Sequence, residues 1–557
     1  MPSGQPVVAL LDGLPLQNHP LLAGRLSIDD PDDWGAGYQA AERNHGTAMA
    51  SLLLHGELDV PGAPLARPVY ARPIMRPDTS DTFHNPRRAA TPNDILLIDL
   101  VHRAVRRMFE GESGSPAAAP AVKVINLSVG DAAQPFDGAL SPWARLLDWL
   151  AARYQVLFVV SAGNVPAQLT LPVPRGTLST VAAHERQQHA LTALLVDSTS
   201  RRLLAPAESI NAITVGAVYA DSSTFTPAAD RFDLFPMQGV SPYSGIGHGF
   251  KRTIKPDILL PGGRMLHRES LTDAANAATT ELTPLNTAAA PGQRVAAPNV
   301  GGLNTRYTRG TSNAAALTTR GAALAHVVIE ELRAGHSQQL PDHFDAVLLK
   351  ALLVHGAQWG ELESQILNGR PDVTDWRQKQ SLVTRFLGYG LSDMEHAITC
   401  TEQRATLIGV GELQDGQALE FRVPLPPSLS AQVVKRRLTL TLAYISPINP
   451  RSAKYRAARL WVVPPKDEFN VERQSYDWQQ VTRGTVQHEV LEGEGALAFT
   501  DGADLAFKVN CAKDGGEVTA PVPFALCVTL EVGEGVQLPI YQEIRERVAP
   551  RVGVAAS

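Results

Sequence analysis

The chain is 557 residues long and 44% hydrophobic, which is enough for about two or three globular domains with buried cores. Its 50 basic and 56 acidic side chains give a formal net charge of −6, which excludes a dominant electrostatic attraction to nucleic acid or to an anionic membrane surface. The three cysteines, Cys400, Cys511 and Cys527, lack metal-binding spacing, so we expect reduced, packed thiols.

Two features of the sequence bear on where the protein is located. No stretch of about 18 uninterrupted apolar residues occurs, so a membrane span is not expected. The first residues, MPSGQPVVALLDG, lack the basic start and the apolar run of a secretory signal peptide. The sequence therefore predicts a cytoplasmic protein.

The first half alternates short apolar runs with helical periodicity, the pattern of a parallel sheet covered by helices. We expect a buried strand at 7–11 and a helix at 95–108. The clearest unit is a strand at 122–127, a helix with apolar residues at i, i+3, i+4 and i+7 over 143–150, and a strand at 156–160. This order predicts a right-handed crossover in an α/β domain that carries helices on both faces of its sheet.

Two segments of the first half have the composition of loops. GESGSPAAAP, at 111–120, is predicted to be a surface loop. The segment 274–300, rich in Ala, Thr, Asn and Pro, is also predicted to be loop-like.

The pattern of apolar residues changes after residue 391. Helical periodicity fades, and 438–444, 458–463 and 524–532 are predicted strands separated by turns. We therefore expect an α/β domain over 1–395 and a separate β-sandwich over 400–557.

Three residues of the first half have side chains suited to nucleophilic catalysis. Asp12 ends a predicted strand, where parallel sheets place functional groups, although such an aspartate is more often a turn former. His45 lies at a predicted helix start, where a histidine commonly caps or packs, and Ser312 starts a helix of small residues, where serine is a common N-cap. A hydroxyl, an imidazole that takes its proton and a carboxylate that orients the imidazole are what hydrolysis by serine requires.

In chain order, these segments resemble the subtilisin-like serine peptidase family. VVALLDG resembles the strand with the catalytic aspartate, NHGTAMAS the histidine motif and RGTSNAAA the serine motif. VINLSVG is similar to the substrate-binding strand, and VVSAGN to the segment whose asparagine helps to form the oxyanion hole. INAITVGAV, VSPYSGIGHGFKRTIKPDILLPGG and LLKALLVHGA resemble later parts of the family's core. The order Asp, His, Ser fits this family, and no G-x-S-x-G elbow surrounds Ser312, which argues against an α/β-hydrolase.

The resemblance implies a subtilisin-like fold and a serine endopeptidase that hydrolyses polypeptides without a cofactor or a metal. Asp12, His45 and Ser312 would form its catalytic triad. Asn164 would donate its side-chain amide to the oxyanion. This reading needs no nucleic acid and no membrane as a partner.

The same resemblance assigns the substrate cleft and two insertions. Ser128 and Gly130 would line the cleft. The histidine and serine motifs lie farther apart than in a minimal member of the family, which implies insertions at about 165–202 and 266–300. Long insertions around a cleft restrict access or recruit a partner.

Several positions depart from the family's pattern. Gly13 replaces the hydroxyl residue that usually follows the aspartate, and Ala48 replaces the second histidine of the histidine motif. After the serine, Asn313, Ala316 and Leu317 replace the usual Met, Pro and His. These departures imply a divergent branch with altered packing around the cleft.

Other charged groups are expected to have no catalytic function. The segment SIDDPDDW lacks the alternating ligand spacing of a calcium loop, so we expect a solvated loop; its aspartates are Asp29, Asp30, Asp32 and Asp33. The basic run at 435–437 is too short for a nucleic-acid site, and Asp257 is expected to be structural.

The biological setting follows from the resemblance alone. Cytosolic subtilases without a leader or a pro-segment occur in bacteria beside an ATPase and are suspected of serving phage defence. An ATPase or another regulatory partner protein would then control the peptidase.

Two other hypotheses stay open at this point. One is a catalytically silent subtilisin-like scaffold that binds peptides or a partner. The other is a β-sandwich that carries the main function as a ligand-binding module, with the peptidase serving self-processing.

Overall fold

The computed structural model describes seven stretches of the chain: 2–166, 168–235, 238–271, 278–300, 303–336, 340–533 and 535–548. The chain divides into two compact units. The first consists of Met1–Val327 with Ala357–Ser392, and the second consists of Val328–Gly356 with Asp393–Ser557.

The described strands of the first unit are short. They are β1 (Val8–Asp12), β2 (Leu26–Ile28), β3 (Val69–Pro73), β4 (Arg76–Pro77), β5 (Ala89–Ala90), β6 (Val124–Leu127), β7 (Asp131–Pro135), β8 (Leu157–Ser161), β9 (Leu169–Leu171), β10 (Leu204–Ala205), β11 (Ile213–Tyr219), β12 (Gly239–Val240), β13 (Ile258–Pro261), β14 (His267–Glu269), β15 (Thr280–Pro284), β16 (Gln293–Val300), β17 (Leu303–Thr308), β18 (Ala357–Gln358) and β19 (Leu391–Ser392).

The α-helices are distributed over both units, and the boundary after Val327 falls within the fifth of them. The described helices are α1 (Asn44–His55), α2 (Leu97–Glu110), α3 (Pro142–Tyr154), α4 (Ala183–Val196), α5 (Thr311–His336), α6 (Asp345–His355), α7 (Glu361–Gly369), α8 (Trp376–Leu387), α9 (Met394–Ile398), α10 (Lys466–Phe469), α11 (Trp478–Val481) and α12 (Ile540–Val548).

A large, mostly parallel sheet organises the first unit. Its order is β18-β19-β13-β11-β8-β6-β1-β3-β2, with β12 paired to β11. All neighbours along this path run parallel except β18 and β19, and β12 is also antiparallel to its partner. The predicted strand, helix, strand unit is present as β6, α3 and β8. The α/β prediction is confirmed.

Buried apolar side chains join α1 and α5 to the end of this sheet that contains β1. Val8 and Leu10 of β1 share one cluster with Ala48 and Leu52 of α1 and with Ala316 of α5. All five are nearly or fully excluded from solvent. This packing fixes both helices against the strand that ends at Asp12.

The prediction of a loop at 274–300 is wrong for most of that segment. Residues 280–284 form β15, which pairs with β14 and β9, and 293–300 form β16, which pairs with β17 as a hairpin. Val295, Ala296 and Ala297 are all buried, so burial in β16 does not follow the alternation by which a strand is predicted from sequence. Residues 274–277 lie outside the described residues. The segment 111–120 contains no strand or helix, as predicted.

The second unit contains two antiparallel sheets around one hydrophobic core. Their strands are β20 (Arg404–Leu413), β21 (Ala418–Pro424), β22 (Arg436–Tyr444), β23 (Ala458–Val462), β24 (Glu472–Arg473), β25 (Val486–Gly493), β26 (Asp504–Lys513) and β27 (Val522–Val532). One sheet has the order β20-β27-β22-β25-β24 and the other the order β21-β26-β23. Leu440, Leu460, Phe507 and Leu526 from both sheets share the core, so this unit includes the expected β-sandwich.

The cysteines behave as the sequence predicted. All three are free thiols, and Cys511 and Cys527 are buried. Burial raises the pKa of the Cys511 thiol to about 11 and that of the Cys527 thiol to about 12. In the described part of the chain, no helix has both the length and the apolar surface to cross a membrane.

The close approach of α1 to the end of β1 requires a glycine at position 46. A Cβ atom added to Gly46 would lie 2.0 Å from the carbonyl oxygen of Gly13. We predict that Gly46→Ala lowers the free energy of unfolding by about 1–3 kcal/mol, since the added methyl group displaces α1. Chemical denaturation measures the effect. Gly62→Ala, where the added Cβ has no neighbour within 4 Å, is the matched control; equal stabilities of both variants would contradict the prediction.

Candidate active site

Three neighbouring strands end along the same edge of the parallel sheet. In the order β8-β6-β1, β1 ends at Asp12, β6 ends just before Ser128, and β8 ends three residues before Asn164. The carboxyl ends of parallel strands are where such sheets hold their functional groups. Three of the residues predicted from sequence therefore lie along one edge.

The side chains of Asp12 and His45 are joined by a hydrogen bond. His45 is the second residue of α1, and its Nδ1 lies 2.7 Å from Asp12 Oδ1. The Asp12 carboxylate is buried, whereas 40% of the His45 side chain is exposed. A carboxylate in this position fixes the ring and leaves Nε2 as the atom available to take a proton.

Burial alone would lower the pKa of His45, but the charge of Asp12 and its hydrogen bond outweigh burial and raise that pKa above the ordinary 6.5. The imidazolium is thus stabilised by the buried carboxylate. A base of this kind holds a proton more strongly than a free histidine.

The two oxygens of the Asp12 carboxylate have different surroundings. Oδ1 accepts hydrogen bonds from His45 and from the backbone N–H of Gly13, at 2.6 Å. Oδ2 is buried and has no hydrogen-bond partner among the described residues. Gly13, which stands where a hydroxyl residue is usual, offers no side chain that could serve this oxygen. The glycine at position 13 therefore leaves Asp12 Oδ2 without the hydroxyl donor that the usual residue would offer.

Ser312 is the second residue of α5 and contacts the end of β6. Its Oγ donates to the carbonyl oxygen of Ser128 at 2.9 Å. The hydroxyl of Ser128 in turn donates to the carbonyl oxygen of Ser312 at 3.1 Å and to Asn126 Oδ1 at 2.9 Å. The structure contains no hydrogen bond between His45 and Ser312, both of which it describes. Catalytic hydrogen bonds in free enzymes often form only when substrate is bound.

Asn164 is oriented by the residue that precedes Ser312. Its Oδ1 accepts from the backbone N–H of Thr311 at 2.8 Å and from the Thr311 hydroxyl at 3.1 Å. The Nδ2 group is therefore left to donate elsewhere. A Cβ atom at Gly310, whose φ is +150°, would lie 3.0 Å from that Nδ2, so only glycine leaves the amide free there.

A second donor is provided by the start of α5. The N–H groups of the first turn of a helix have no partner within the helix, and that of Ser312 is among them. Asn164 Nδ2 is another such donor, on an amide that is bonded to Thr311, the residue before Ser312. Such a pair can stabilise an oxyanion.

The two predicted cleft residues differ in their surroundings. Ser128 is 3% exposed, and its hydroxyl and carbonyl groups are bonded to Asn126 and Ser312, so its side chain supports the serine rather than lining a free surface. Gly130 is exposed. A Cβ atom at Gly130 would lie 3.4 Å from Leu204 and 3.9 Å from Gly163, which places this glycine opposite the VVSAGN segment.

The aspartates outside this site have structural partners. Burial opposes ionisation of Asp29, but hydrogen bonds from Arg107 and Tyr70 lower its pKa, so a solvated loop was the wrong expectation for this residue. Asp257 forms a buried ion pair with Lys255 at 2.6 Å, as expected of a structural residue. No cluster that could hold a metal ion occurs within the described ranges.

Comparison with known proteins decides the family. The sequence profile of Peptidase S8, the subtilase family, matches residues 3–390. The chain belongs to the subtilase family. Membership of this family supports activity as a serine peptidase.

Other relatives of this subtilase are distant. The uncharacterised protein y4bN of Sinorhizobium fredii (strain NBRC 101917 / NGR234) is 26% identical over 334 residues, which are 59% of this chain and 68% of that protein. The prenylagaramide maturation protease PagA aligns with a TM-score of 0.36 and 18% identity over 70% of this chain and 92% of that one. The patellamide maturation protease PatA aligns with a TM-score of 0.36 and 19% identity over 70% and 94%.

Sequence analysis missed two residues that shape the site of this subtilase. Thr311 orients Asn164, and its position directly before Ser312 was the signal that could have shown this. Leu204 fills the space beside Gly163, where an added Cβ would lie 2.5 Å from Leu204 Cγ. No sequence pattern marks Leu204, because the contact joins segments 41 residues apart.

The Asp12 and His45 pair predicts the pH dependence of this subtilase. A site in which neutral His45 acts as the base predicts that the rate at which a fluorophosphonate labels Ser312 rises with pH through a midpoint above 6.5. In Asp12→Asn the charge that raises the pKa is lost while burial remains, so the midpoint should fall. The maximal rate should also fall, by about 10⁴, because the ring tautomer is no longer fixed. An unchanged midpoint in that variant would contradict the assignment.

Asn164 allows a nearly isosteric test of oxyanion stabilisation. Asn164→Asp keeps an oxygen that can accept from Thr311 but removes the amide donor. We predict a loss of about 10² to 10³ in kcat for peptide hydrolysis, with KM little changed, for Asn164→Asp and for Asn164→Ala. Steady-state kinetics separates the two constants. A loss confined to KM would show that Asn164 binds substrate only.

Proposed function

We propose that this subtilase is a serine endopeptidase with Asp12, His45 and Ser312 as its triad and Asn164 as an oxyanion donor. The observation that carries the proposal is the 2.7 Å hydrogen bond from His45 to the buried Asp12 carboxylate, on the sheet edge that also holds Ser312. A histidine held in this way presents Nε2 as a base. Ser312 supplies the nucleophile at the start of α5.

The reaction follows from these positions. His45 Nε2 takes the Ser312 proton while Oγ attacks a peptide carbonyl, and the carbonyl oxygen becomes an oxyanion between Asn164 Nδ2 and the Ser312 N–H. The tetrahedral species collapses to an acyl-enzyme when His45 gives the proton to the leaving amine. Water then attacks the ester through the same base, and Ser312 regains its proton as the acid departs. Asp12 keeps its charge throughout and stabilises the imidazolium.

For the nucleophile to react, its hydroxyl has to turn. In the free protein Ser312 Oγ donates to the Ser128 carbonyl. The proposed reaction requires rotation about the Cα–Cβ bond to exchange this acceptor for His45 Nε2, and such a change is a step between two staggered rotamers of serine. The buried position of Ser312, 8% exposed, limits the competing access of water.

One observation favours a second candidate function, a silent scaffold that binds peptides or a partner protein. The Ser312 hydroxyl is already satisfied by a backbone acceptor and makes no bond to His45. In a silent scaffold that arrangement would be permanent. The serine would then remain unreactive toward electrophiles even in the folded protein.

We also propose a substrate, a location and a regulatory partner for the peptidase. We include a polypeptide substrate, a cytoplasmic location, and control by an ATPase or another regulatory protein, with a role in phage defence in bacteria. Three free thiols, two of them buried, are compatible with a reducing compartment. Affinity capture from cells that express a tagged Ser312→Ala chain tests the partner, and fractionation of the same cells tests the location.

Fluorophosphonate labelling distinguishes the two candidate functions. We predict that the wild-type chain forms a covalent adduct and that Ser312→Ala and His45→Ala do not, since only an activated serine reacts. Intact-mass spectrometry detects the adduct. Ser115→Ala, which removes an exposed hydroxyl far from the site in sequence, is the matched control and should label like the wild type.

Two outcomes would count against the proposed peptidase. A folded wild-type chain that remains unlabelled would support the silent scaffold. An adduct that persists in Ser312→Ala would place the reactive nucleophile elsewhere.

A further inference from the structure

Arg306, which has no counter-ion among the described residues, contacts the residue that precedes His45. Arg306 belongs to β17, directly opposite Val295 of β16. Val295 is fully buried in the cluster that includes α1, and opposite residues of a hairpin point to the same face. Arg306 therefore points toward α1, where its Nη1 donates to Asn44 Oδ1 at 3.4 Å. Asn44 immediately precedes His45.

The charge of Arg306 is not neutralised by the chain around it. The contact with Asn44 is long for a hydrogen bond, and Nε is buried with no partner among the residues that the structure describes. No carboxylate among the described residues forms an ion pair with Arg306. Burial alone lowers the pKa of its guanidinium, with no carboxylate raising it.

The opposite face of the same hairpin shows the usual arrangement. Arg294 pairs there with Asp59 at 3.5 Å and donates to Thr305 at 3.1 Å. Arg309, just beyond the hairpin, donates to three backbone carbonyl oxygens, those of residues 287, 289 and 291. Arg306 differs from both neighbouring arginines in having Asn44 Oδ1 as its one acceptor among the described residues, although Nε of Arg309 is also buried there without a partner.

Three carboxylates that precede α1 in the chain already accept hydrogen bonds from other residues. Asp12 accepts from His45 and Gly13, and Glu42 accepts from Arg87 at 2.6 Å and from the backbone N–H of Gln39. Asp30 accepts from the backbone N–H groups of residues 34 and 35. None of them is an ion-pair partner of Arg306.

A second arginine near the start of α1, Arg43, also has few partners among the described residues. Arg43 precedes Asn44, donates to the carbonyl oxygen of Gly35 at 3.1 Å and has a buried Nε without a partner. Within the described residues it forms no ion pair. Two guanidinium groups without ion-pair partners therefore flank the two residues at the start of α1.

We infer that Arg306 is a specificity-determining residue that binds a carboxylate of the polypeptide substrate close to the scissile bond. Guanidinium groups match carboxylates in a two-pronged geometry, and an incoming carboxylate would engage the donors that the chain leaves unused. Because Asn44 adjoins His45, the carboxylate lies within about two residues of the bond that is cut. It is either an Asp or Glu side chain or the chain terminus of a short peptide.

This inference rests on the proposed peptidase function, and its test has two separate readouts. The first is kcat/KM for synthetic, internally quenched decapeptides that differ only by Asp or Asn at one position, scanned on both sides of the cut. The second is the affinity of the Ser312→Ala chain for the same peptides carrying a fluorescent label, which requires no catalysis. A failure of the peptidase proposal would abolish cleavage in the first readout and leave the second readable.

We expect the wild type to prefer Asp over Asn by about tenfold at one position within two residues of the cut. The preference should weaken in 0.5 M salt, since a partly exposed ion pair is screened. Arg306→Gln should bring the ratio close to one, and Arg306→Glu should shift the preference toward Lys. Arg294→Gln, on the opposite face of the hairpin, should keep the wild-type ratio.

The source of the carboxylate is decided by a second pair of peptides, with a free or an amidated C-terminus. A preference for the free acid identifies the chain terminus, and a preference for Asp identifies a side chain; both support the site. Equal kcat/KM and equal binding for every pair in the wild type would overturn the inference. So would a preference for Asp that survives in a folded Arg306→Gln chain.

Discussion

The hydrogen bond between the buried Asp12 carboxylate and His45 is the constraint on which the rest of the site depends. It forms only if the start of α1 reaches the carboxyl end of β1, and this approach leaves no room for a side chain on Gly46. The shared apolar cluster of β1, α1 and α5 holds the approach in place. Packing in the core therefore maintains the contact with Asp12 that raises the pKa of His45.

The proposed nucleophile and oxyanion donors are positioned by a different set of contacts. Thr311 donates to the oxygen of the Asn164 amide and so leaves its nitrogen as the donor that can serve an oxyanion. Ser128 fixes the first turn of α5 through two hydrogen bonds. These contacts join β6, the segment after β8 and α5, so the sheet order β8-β6-β1 is what brings the two halves of the site together.

The sequence predicted the elements whose signals are local. Continuous apolar runs predicted β1, β6 and β8, and polar residues at their ends predicted where Asp12 and Asn164 would lie. The hairpin of β16 and β17 was missed because Ala, Pro and Asn have weak strand preference and the hairpin is stabilised by packing against α1. The sparse contacts of Arg306 and the hydrogen bonds from Tyr70, Arg72 and Arg107 to Asp29 join residues distant in sequence, which no spacing in the sequence reveals.

The central claim is that Asp12 and His45 activate Ser312 next to a prepared oxyanion site. A crystal structure of the wild-type chain after reaction with a fluorophosphonate tests it most directly. The account predicts a phosphonyl group on Ser312 Oγ, one of its oxygens within about 3 Å of both Asn164 Nδ2 and the Ser312 backbone nitrogen, and the His45 to Asp12 hydrogen bond intact. An unmodified Ser312 in a folded, reagent-treated crystal, or an adduct whose oxygen points away from Asn164, would contradict it.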